Sequence, residues 1–230
     1  MSIQALILDF DGLIVDTETS DYEAWCLIYK HFGCQLEREL WLQSVGKAGA
    51  FDPHKHLELL ICRALERENI AAWHSKIHLE LMAAQQLLPG VSFVINHGYT
   101  SGFRIGVASN SLLSRVKHGL EYFKLDQFVS TIRTRDRVKN PKPHPEPYLL
   151  ALEDLGADPI NSIAFEDSES GIKSAKDAGL YVVAVPSPFT RHHDFSGADE
   201  VLNSLDEFVF DKGQLLQDEA HTDSFQSSKH

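Results

Sequence analysis

The sequence predicts an α/β fold, with a Rossmann-like parallel-sheet core and an inserted all-α helical cap domain. Two observations predict it. Short apolar runs bounded by polar turns alternate with helical patterns, which is typical of parallel strands buried on both faces. One long stretch, residues 17–88, carries helical signals only. The apolar runs are residues 3–10, 104–108, 162–165 and 181–185.

The composition is that of an acidic globular protein. The chain has 230 residues, with 21 Lys and Arg against 33 Asp and Glu, and a formal net charge of −12. This charge and the lack of a basic stripe argue against nucleic-acid partners. The apolar run that stops at Asp9 is too short for a signal peptide or a membrane span, so no membrane partner is expected. Three cysteines without a C-x-x-C pair favour a reducing compartment, and we expect a cytoplasmic protein.

Three helices are predicted in the stretch without strands. Ser20-x-x-Glu23 matches a capping box, and Gly33 marks the end of that helix. Asp52-Pro53 starts a second helix, and Pro89-Gly90 ends a third. The apolar positions of the second and third helices are Leu57, Leu60, Ile61, Ala64, Leu65, Ile70, Trp73, Ile77, Leu81 and Leu88.

These patterns predict four segments. Residues 1–16 form the first part of the core, with the first strand and the catalytic loop, and residues 17–89 form the helical cap. Residues 90–215 continue the core, with the sheet resuming near Val91, and residues 216–230 form a disordered tail. The two crossings between core and cap, near Asp16 and Pro89-Gly90, are hinge candidates.

The first polar cluster is Asp9-Phe10-Asp11-Gly12. A buried strand that ends in two carboxylates is costly unless a cation or a reaction uses them. Hard oxygen ligands without a Cys or His cluster favour Mg²⁺. Asp11 can offer its backbone carbonyl to the metal once the chain turns at Gly12. The alternative is that both carboxylates only cap the turn.

Two further clusters follow later strands. Ser109-Asn110-Ser111 precedes a helical pattern, so its hydroxyl, amide and backbone N–H groups form a candidate anion site or simple helix caps. Lys142 lies between prolines that are expected to hold the backbone stiff and extended, which would aim its ammonium at phosphate charge. The alternative for Lys142 is a proline-rich surface loop.

Glu166-Asp167 is the fourth cluster and follows another apolar run. One of these carboxylates is a candidate metal ligand, while the other could ligate directly or tether metal-bound water; a helix cap is the alternative. Because all four clusters end or follow strands of one predicted sheet, they are expected to converge. Nucleophile, acid/base, anion cradle and metal ligands together predict a phosphoryl-transfer site.

The chain resembles the haloacid-dehalogenase-like superfamily of phosphohydrolases, specifically its β-phosphoglucomutase-like branch with a helical cap. The matching motifs run from Asp9 to Gly171 in the order of the family: Asp9-Phe10-Asp11-Gly12 with Asp16-Thr17-Glu18, Ser109-Asn110-Ser111, Lys142-Pro143 with Pro145, and Phe165-Glu166-Asp167-Ser168.

The resemblance implies a role for each matched residue. Asp9 would attack phosphorus and become an aspartyl-phosphate, and Asp11 would act as acid and then base. The phosphoryl oxygens would be held by Ser109, Asn110 and Lys142. Mg²⁺ would be held by Asp9, the Asp11 carbonyl and Asp167, with Glu166 adjacent.

The resemblance favours a phosphatase over two related activities. Haloacid dehalogenases lack a carboxylate at the position of Asp11, so dehalogenation is not expected. Sugar-phosphate mutases of the branch carry a histidine where this chain has Asp21, and a Lys and an Arg around a cap glycine where only Lys47 remains. We therefore expect a hydrolase of a small phosphomonoester, with a sugar phosphate as one candidate, that is a monomer or weak dimer.

Alternatives remain at this stage. A β-phosphoglucomutase-type mutase would use the same site, and a non-catalytic binding module would keep the fold without needing an acid/base. In the cap, Lys47 and Asp21 are candidate substrate contacts, and a solvated lysine is the alternative for Lys47.

Overall fold

A single parallel sheet forms the core. The computed structural model describes residues 3–42 and 51–210. Six strands pair in the order β3-β2-β1-β4-β5-β6, and every neighbouring pair is parallel. The strands are β1 (Ala5–Leu8), β2 (Arg104–Ser109), β3 (Val129–Thr134), β4 (Ser162–Glu166), β5 (Tyr181–Ala184) and β6 (Glu200–Val201).

Helices cover both faces of this sheet. Successive side chains of a strand point to opposite faces, so Leu6 and Leu8 join one apolar cluster while Ala5 and Ile7 join another. The first cluster includes side chains of α5 (Val91–Thr100) and α6 (Leu113–Tyr122). The second includes side chains of α7 (Glu146–Leu155) and α8 (Glu169–Asp177). The predicted Rossmann-like α/β core is therefore confirmed.

The register of the central strands brings their carboxyl ends together. Leu8, the last residue of β1, pairs with Val107 of β2 and with Phe165 of β4. The backbone N–H of Asp9 continues this pattern by donating to the Phe165 carbonyl at 2.9 Å. Residues that directly follow β1, β2 and β4 therefore lie beside one another at one edge of the sheet.

Among the described residues, four helices lie between β1 and α5. They are α1 (Thr17–His31), α2 (Arg38–Leu42), α3 (Pro53–Ile61) and α4 (Arg67–Ala83). Their buried side chains form an apolar cluster separate from the two clusters of the sheet, which includes Ile28, Tyr29, Leu57 and Ile70. The inserted all-α cap is thus present; the boundaries at residues 16 and 89 stay a prediction.

The chain enters and leaves the cap through adjacent segments. Val15 forms an antiparallel bridge with Leu87, and the N–H of Leu88 donates to the carbonyl of Ile14 at 3.0 Å. The two crossings predicted from the sequence therefore lie side by side.

The first cap helix begins earlier than the sequence predicts. Asp16 caps it, because its Oδ1 accepts a hydrogen bond from the N–H of Thr19 at 3.0 Å. Ser20 lies inside α1, so the predicted Ser20–Glu23 capping box was wrong: the carboxylate of Asp16 already accepts from a free N–H of the first turn. The predicted end is confirmed, since α1 stops at His31 and Gly33 has φ +72°.

The second predicted cap helix is shorter than its apolar pattern. Asp52 caps α3 as predicted, with its Oδ1 accepting from the N–H of Lys55 at 3.1 Å. The helix ends at Cys62, whose φ of 51° is left-handed, so Ala64 and Leu65 lie beyond it. Leu60 is 47 % exposed and is not part of the cap core.

The third predicted cap helix also ends early. α4 stops at Ala83, because the chain must then extend to pair Leu87 with Val15. Leu88 therefore lies outside it. Val91 begins α5 rather than a strand, so the sheet resumes only at β2.

The strands β3 and β6 and the short helix α2 were also not predicted from the sequence. β3 is an edge strand with one neighbour, and its residues Ser130, Thr131 and Arg133 interrupt the apolar pattern. β6 and α2 have only 2 and 5 residues.

Within the described ranges, no helix is long and apolar enough to cross a membrane. Lys47 and the predicted tail at 216–230 lie outside the described residues.

Candidate active site

Three buried carboxylates meet at the carboxyl edge of the sheet. Asp9 follows β1, Glu166 ends β4, and Asp167 comes directly after it. Each offers one oxygen, and these three oxygens lie within 4.8 Å of one another. The structure thus brings together residues 9, 166 and 167 as the sequence predicts.

Lys142 lies inside this group of carboxylates. Its Nζ donates to Asp9 Oδ1 at 2.6 Å, to the Ala108 carbonyl at 2.7 Å and to Glu166 Oε1. Burial lowers the pKa of Lys142, but the carboxylates of Asp9 and Glu166 outweigh burial, so its pKa is raised. Lys142 is therefore a fixed cation at the carboxyl edge of the sheet, held by three oxygen acceptors.

One ammonium does not balance three carboxylates. Burial raises the pKa of Asp9 despite the opposing charge of Lys142, and repulsion from Glu166 and Asp11 raises it further. Burial likewise raises the pKa of Asp167, with Asp9 and Glu166 adding to the effect. This excess of buried negative charge, carried by oxygen donors alone, fits a hard divalent cation.

The side chain of Asp11 contacts residues outside this group of carboxylates. Its Oδ1 accepts from Thr17 Oγ1 at 2.8 Å, and its Oδ2 accepts from Ser109 Oγ at 3.1 Å. The Nε atom of Arg115 lies 3.6 Å from Oδ1. These contacts hold the carboxylate near Asp9 without adding it to the group of three.

Gly12 permits the turn between Asp11 and the rest of the loop. Its φ is +77°, and a Cβ there would lie 2.2 Å from Asp167 Oδ2. A side chain at this position would therefore displace the carboxylate of Asp167.

The second cluster holds Lys142 in place. Asn110 Oδ1 accepts from the backbone N–H of Lys142 at 3.0 Å, and Asn110 Nδ2 donates to its carbonyl at 3.1 Å. The Asn110 amide is thus occupied by Lys142 rather than free for phosphate. Ser109 Oγ accepts from the N–H of Ser111 at 3.0 Å. Neither Ser109 nor Asn110 caps α6, whose N-cap is Leu112.

The proline-rich loop differs from its predicted conformation. The Lys142–Pro143 peptide bond is cis, and Pro145 has helical angles as the N-cap of α7. The loop is therefore not extended throughout, because it must turn into α7. Lys142 itself is buried, so the alternative of an exposed surface lysine was wrong.

Two helical residues at the site were not predicted from the sequence. Tyr148 on α7 is buried, and its hydroxyl donates to Glu166 Oε1 at 2.5 Å. Arg115 on α6 approaches Asp11, and its Nη2 lies 3.3 Å from Nε2 of His78 on α4. Neither residue lies in a motif next to a strand end. No spacing in the sequence links either residue to its partner at the site.

The cap contributes acidic groups near Asp11. The pKa of Glu18 is raised to about 7 by burial and by repulsion from Asp21 and Asp11, although Arg115 opposes the shift. Asp21 pairs with His74, with 3.1 Å between Oδ1 and Nε2. Asp21 is thus paired with another residue of the cap. Its predicted contact with substrate stays a prediction.

A parallel α/β sheet with carboxylates and a buried lysine at its carboxyl edge defines the class of phosphoryl-transfer enzymes. Residues 6–185 match the family model described as haloacid dehalogenase-like hydrolase. The chain therefore belongs to the haloacid dehalogenase-like hydrolases, and the predicted phosphoric monoester hydrolase of the β-phosphoglucomutase-like type is confirmed.

Three similar proteins illustrate the match. “Putative phosphatase YhcW” of Bacillus subtilis (strain 168) is 38 % identical over 205 residues, covering 89 % of this chain and 93 % of that protein. The phosphorylated carbohydrates phosphatase of Thermotoga maritima is 28 % identical over 183 residues, covering 77 % and 82 %. The crystal structure of CbbY from Rhodobacter sphaeroides with phosphate has a TM-score of 0.72 and 28 % identity, covering 89 % and 96 %.

Proposed function

We propose that this protein is a Mg²⁺-dependent phosphatase that hydrolyses a small phosphomonoester through an aspartyl-phosphate on Asp9. The observation that carries the proposal is the contact of Lys142 Nζ with both Asp9 and Glu166, beside Asp167. A nucleophilic carboxylate needs a nearby cation before it can approach an anionic substrate, and this arrangement supplies one.

Each residue then has a defined task. An Asp9 carboxylate oxygen attacks phosphorus, and Asp11 gives its proton to the departing alcohol oxygen. In the second step Asp11 takes a proton from water, and that water releases phosphate from Asp9. Lys142 and Ser109 hold phosphoryl oxygens. The side chain of Asn110 fixes Lys142, so the backbone N–H of Asn110 is the group that remains for phosphate.

Mg²⁺, when bound, would neutralise phosphoryl charge at this site. Asp9, Asp167 and the Asp11 carbonyl would hold it, with Glu166 adjacent. All of these donors are oxygen atoms, which Mg²⁺ prefers over nitrogen or sulfur.

Relatives support a sugar phosphate as the substrate class. One similar protein is named for phosphorylated carbohydrates, and another was solved with phosphate. The sequence adds expectations of a cytoplasmic location and of a monomer or weak dimer, and we propose these together with the cap boundaries at residues 16 and 89.

The test is a phosphate-release screen over some dozens of phosphomonoesters with Mg²⁺ present. We expect activity that EDTA abolishes and that Asp9→Asn lowers at least 10²-fold. Asp154→Asn is the matched control, because Asp154 lies near the end of α7 and pairs with Arg133 of β3 rather than with a residue of the site. Full activity of Asp9→Asn would exclude the nucleophile assignment.

A mutase is the second candidate, because it would use the same core residues. Interconversion of hexose 1- and 6-phosphates, primed by a bisphosphate and faster than phosphate release, would favour it over the hydrolase. At the position of Asp21 the mutases carry a histidine, whereas here Asp21 is paired with His74 of the cap. This difference favours the hydrolase.

A further inference from the structure

The turn after β5, residues 186–190, sends one aromatic side chain into the cap. Phe189 is 3 % exposed and belongs to the apolar cluster of the cap rather than to those of the sheet. Its ring lies 5.6 Å from that of Tyr22 between centroids, and the Arg38 guanidinium lies 4.8 Å above it. Arg38 Nη2 also donates to the carbonyl of Pro188 at 3.3 Å. Phe189 is therefore held by α1 and α2 together.

The same turn reaches the carboxylate cluster from its other side. Ser187 and Thr190 are buried, and their hydroxyls lie 2.9 Å apart. The N–H of Ser187 donates to Thr190 Oγ1 at 2.9 Å, which in turn donates to Asp167 Oδ2 at 3.4 Å. A hydrogen bond from Ser187 opposes the effect of burial on the pKa of Asp167.

Two neighbouring residues of one short turn thus face two different parts of the molecule. Phe189 is fixed by the cap, and Thr190 contacts a candidate metal ligand. The turn is closed by the N–H of Thr190, which donates to the carbonyl of Ser187 at 3.1 Å. Because the turn is this short and internally bonded, a shift of Phe189 moves the two hydroxyls with it.

We infer that Phe189 is a positioning residue that couples the docking of the cap to the orientation of Asp167. The cap fixes Phe189, Phe189 fixes the turn, and the turn holds Ser187 and Thr190 against Asp167. Groups that orient a ligating carboxylate raise metal affinity, about 10- to 100-fold in known sites. The inference rests on the proposed metal site, and it makes the affinity for the ion depend on a contact made in the cap.

The test measures the affinity for Mg²⁺ alone, by isothermal titration calorimetry without substrate. We expect Phe189→Ala and Thr190→Val each to weaken Mg²⁺ binding by roughly 10-fold. The double variant should bind about as weakly as either single variant, because both substitutions release the same turn. Phe189→Leu keeps much of the buried volume, so a folded protein with an intermediate affinity is expected if Phe189→Ala does not fold.

Leu57→Ala is the matched control. Leu57 is buried in the same cap cluster, but it lies on α3 and outside the turn. Its loss should destabilise the cap and leave the Mg²⁺ affinity within about twofold of the original protein, since no hydroxyl of the turn is released.

The outcomes separate this inference from the proposed function. Unchanged affinity in Phe189→Leu and Thr190→Val, additive losses in the double variant, or an equal loss in Leu57→Ala would each overturn the coupling. A chain that binds no Mg²⁺ would overturn both the coupling and the metal site. The expected losses of Mg²⁺ affinity in a protein that hydrolyses none of the esters tested would support the inference and contradict the phosphatase assignment.

Discussion

At the scale of single residues, the site depends on how its buried charges are distributed. Lys142 and Tyr148 both bind Glu166, so this carboxylate has two donors in the core. A third contact comes from Ser168 Oγ, 3.3 Å from Oε2. Glu166 is thereby fixed as a partner of Lys142, which in turn contacts Asp9.

Tyr148→Phe removes one of these donors. We expect the free energy of unfolding to fall by about 1–3 kcal/mol, because a buried carboxylate loses a hydrogen bond. Urea unfolding measures the change. Tyr122→Phe is the control: its hydroxyl donates to the Ala83 carbonyl at 2.7 Å on an exposed side chain, and a smaller loss is expected. Equal losses of stability in the two variants would contradict the expectation that the buried carboxylate of Glu166 depends more on its hydrogen bond than the Ala83 carbonyl does.

Glu18 predicts a pH dependence of stability. Burial and repulsion from Asp21 and Asp11 raise its pKa from 4.5 to about 7. A raised pKa favours the protonated form in the folded state, so this stabilisation is complete below pH 4.5 and is lost as the pH rises through about 7.

Glu18→Gln keeps a neutral side chain at every pH. Its stability should equal that of the original protein near pH 4 and exceed it by roughly 1–2 kcal/mol near pH 8.5. Urea unfolding at the two pH values is the measurement, and Glu23→Gln, on the exposed side of α1, is the control. A difference that shrinks with rising pH would show that the sign is wrong.

At the scale of elements, the loop after β1 is tightly constrained at Gly12. Gly12 has φ +77°, and an added Cβ would lie 2.2 Å from Asp167 Oδ2. We expect Gly12→Ala to lower activity by about 10²-fold or more. It should also lower the free energy of unfolding by more than about 1–2 kcal/mol, which is the cost of the left-handed conformation for an alanine. Phosphate release and urea unfolding test this.

Gly102→Ala separates strain from displacement. Gly102 has φ +83°, but no atom lies within 4 Å of its added Cβ, so only the left-handed strain applies. This variant should keep full activity. If it loses as much activity as Gly12→Ala, displacement of Asp167 is not the cause.

The sequence predicted elements well where the local signal was complete. α8 begins after Ser168, whose hydroxyl accepts from the N–H of Gly171 at 3.2 Å, and Gly179 follows it with φ +84°. β3 was missed because an edge strand needs no continuous apolar run. The start of α1 was misplaced because Ser20 and Asp16 are both capping residues, and only the tertiary fold selects between them.

The site was predicted from strand ends, and its outer partners were not. Asp9, Lys142 and Asp167 each lie at or near a strand end or in a recognisable motif. Arg115, Tyr148 and Thr190 lie within helices or a turn, and their contacts join residues that are distant in sequence. Only three-dimensional packing reveals such pairs.

At the scale of the whole molecule, metal binding and folding are linked. An ion that binds only the folded chain stabilises it in proportion to the logarithm of its concentration once binding is saturated. Burial and mutual repulsion raise the pKa values of Asp9 and Asp167, so the proposed Mg²⁺ would relieve this repulsion in the folded protein.

We therefore expect Mg²⁺ at about 100 times its dissociation constant to add roughly 2.7 kcal/mol to the free energy of unfolding. Thermal unfolding at a series of Mg²⁺ concentrations measures this. Asp167→Asn should abolish most of the shift, whereas Asp154→Asn, which is paired with Arg133 at the β3 edge, should keep it. A shift of equal size in both variants would point to nonspecific ion binding.

The paired crossings at Val15 and Leu87 have an evolutionary consequence. An insertion whose two ends lie beside each other can be lengthened, trimmed or exchanged without reordering the strands below it. Selectivity for the organic part of a substrate can thus diverge between descendants while the machinery for breaking the ester bond is inherited intact.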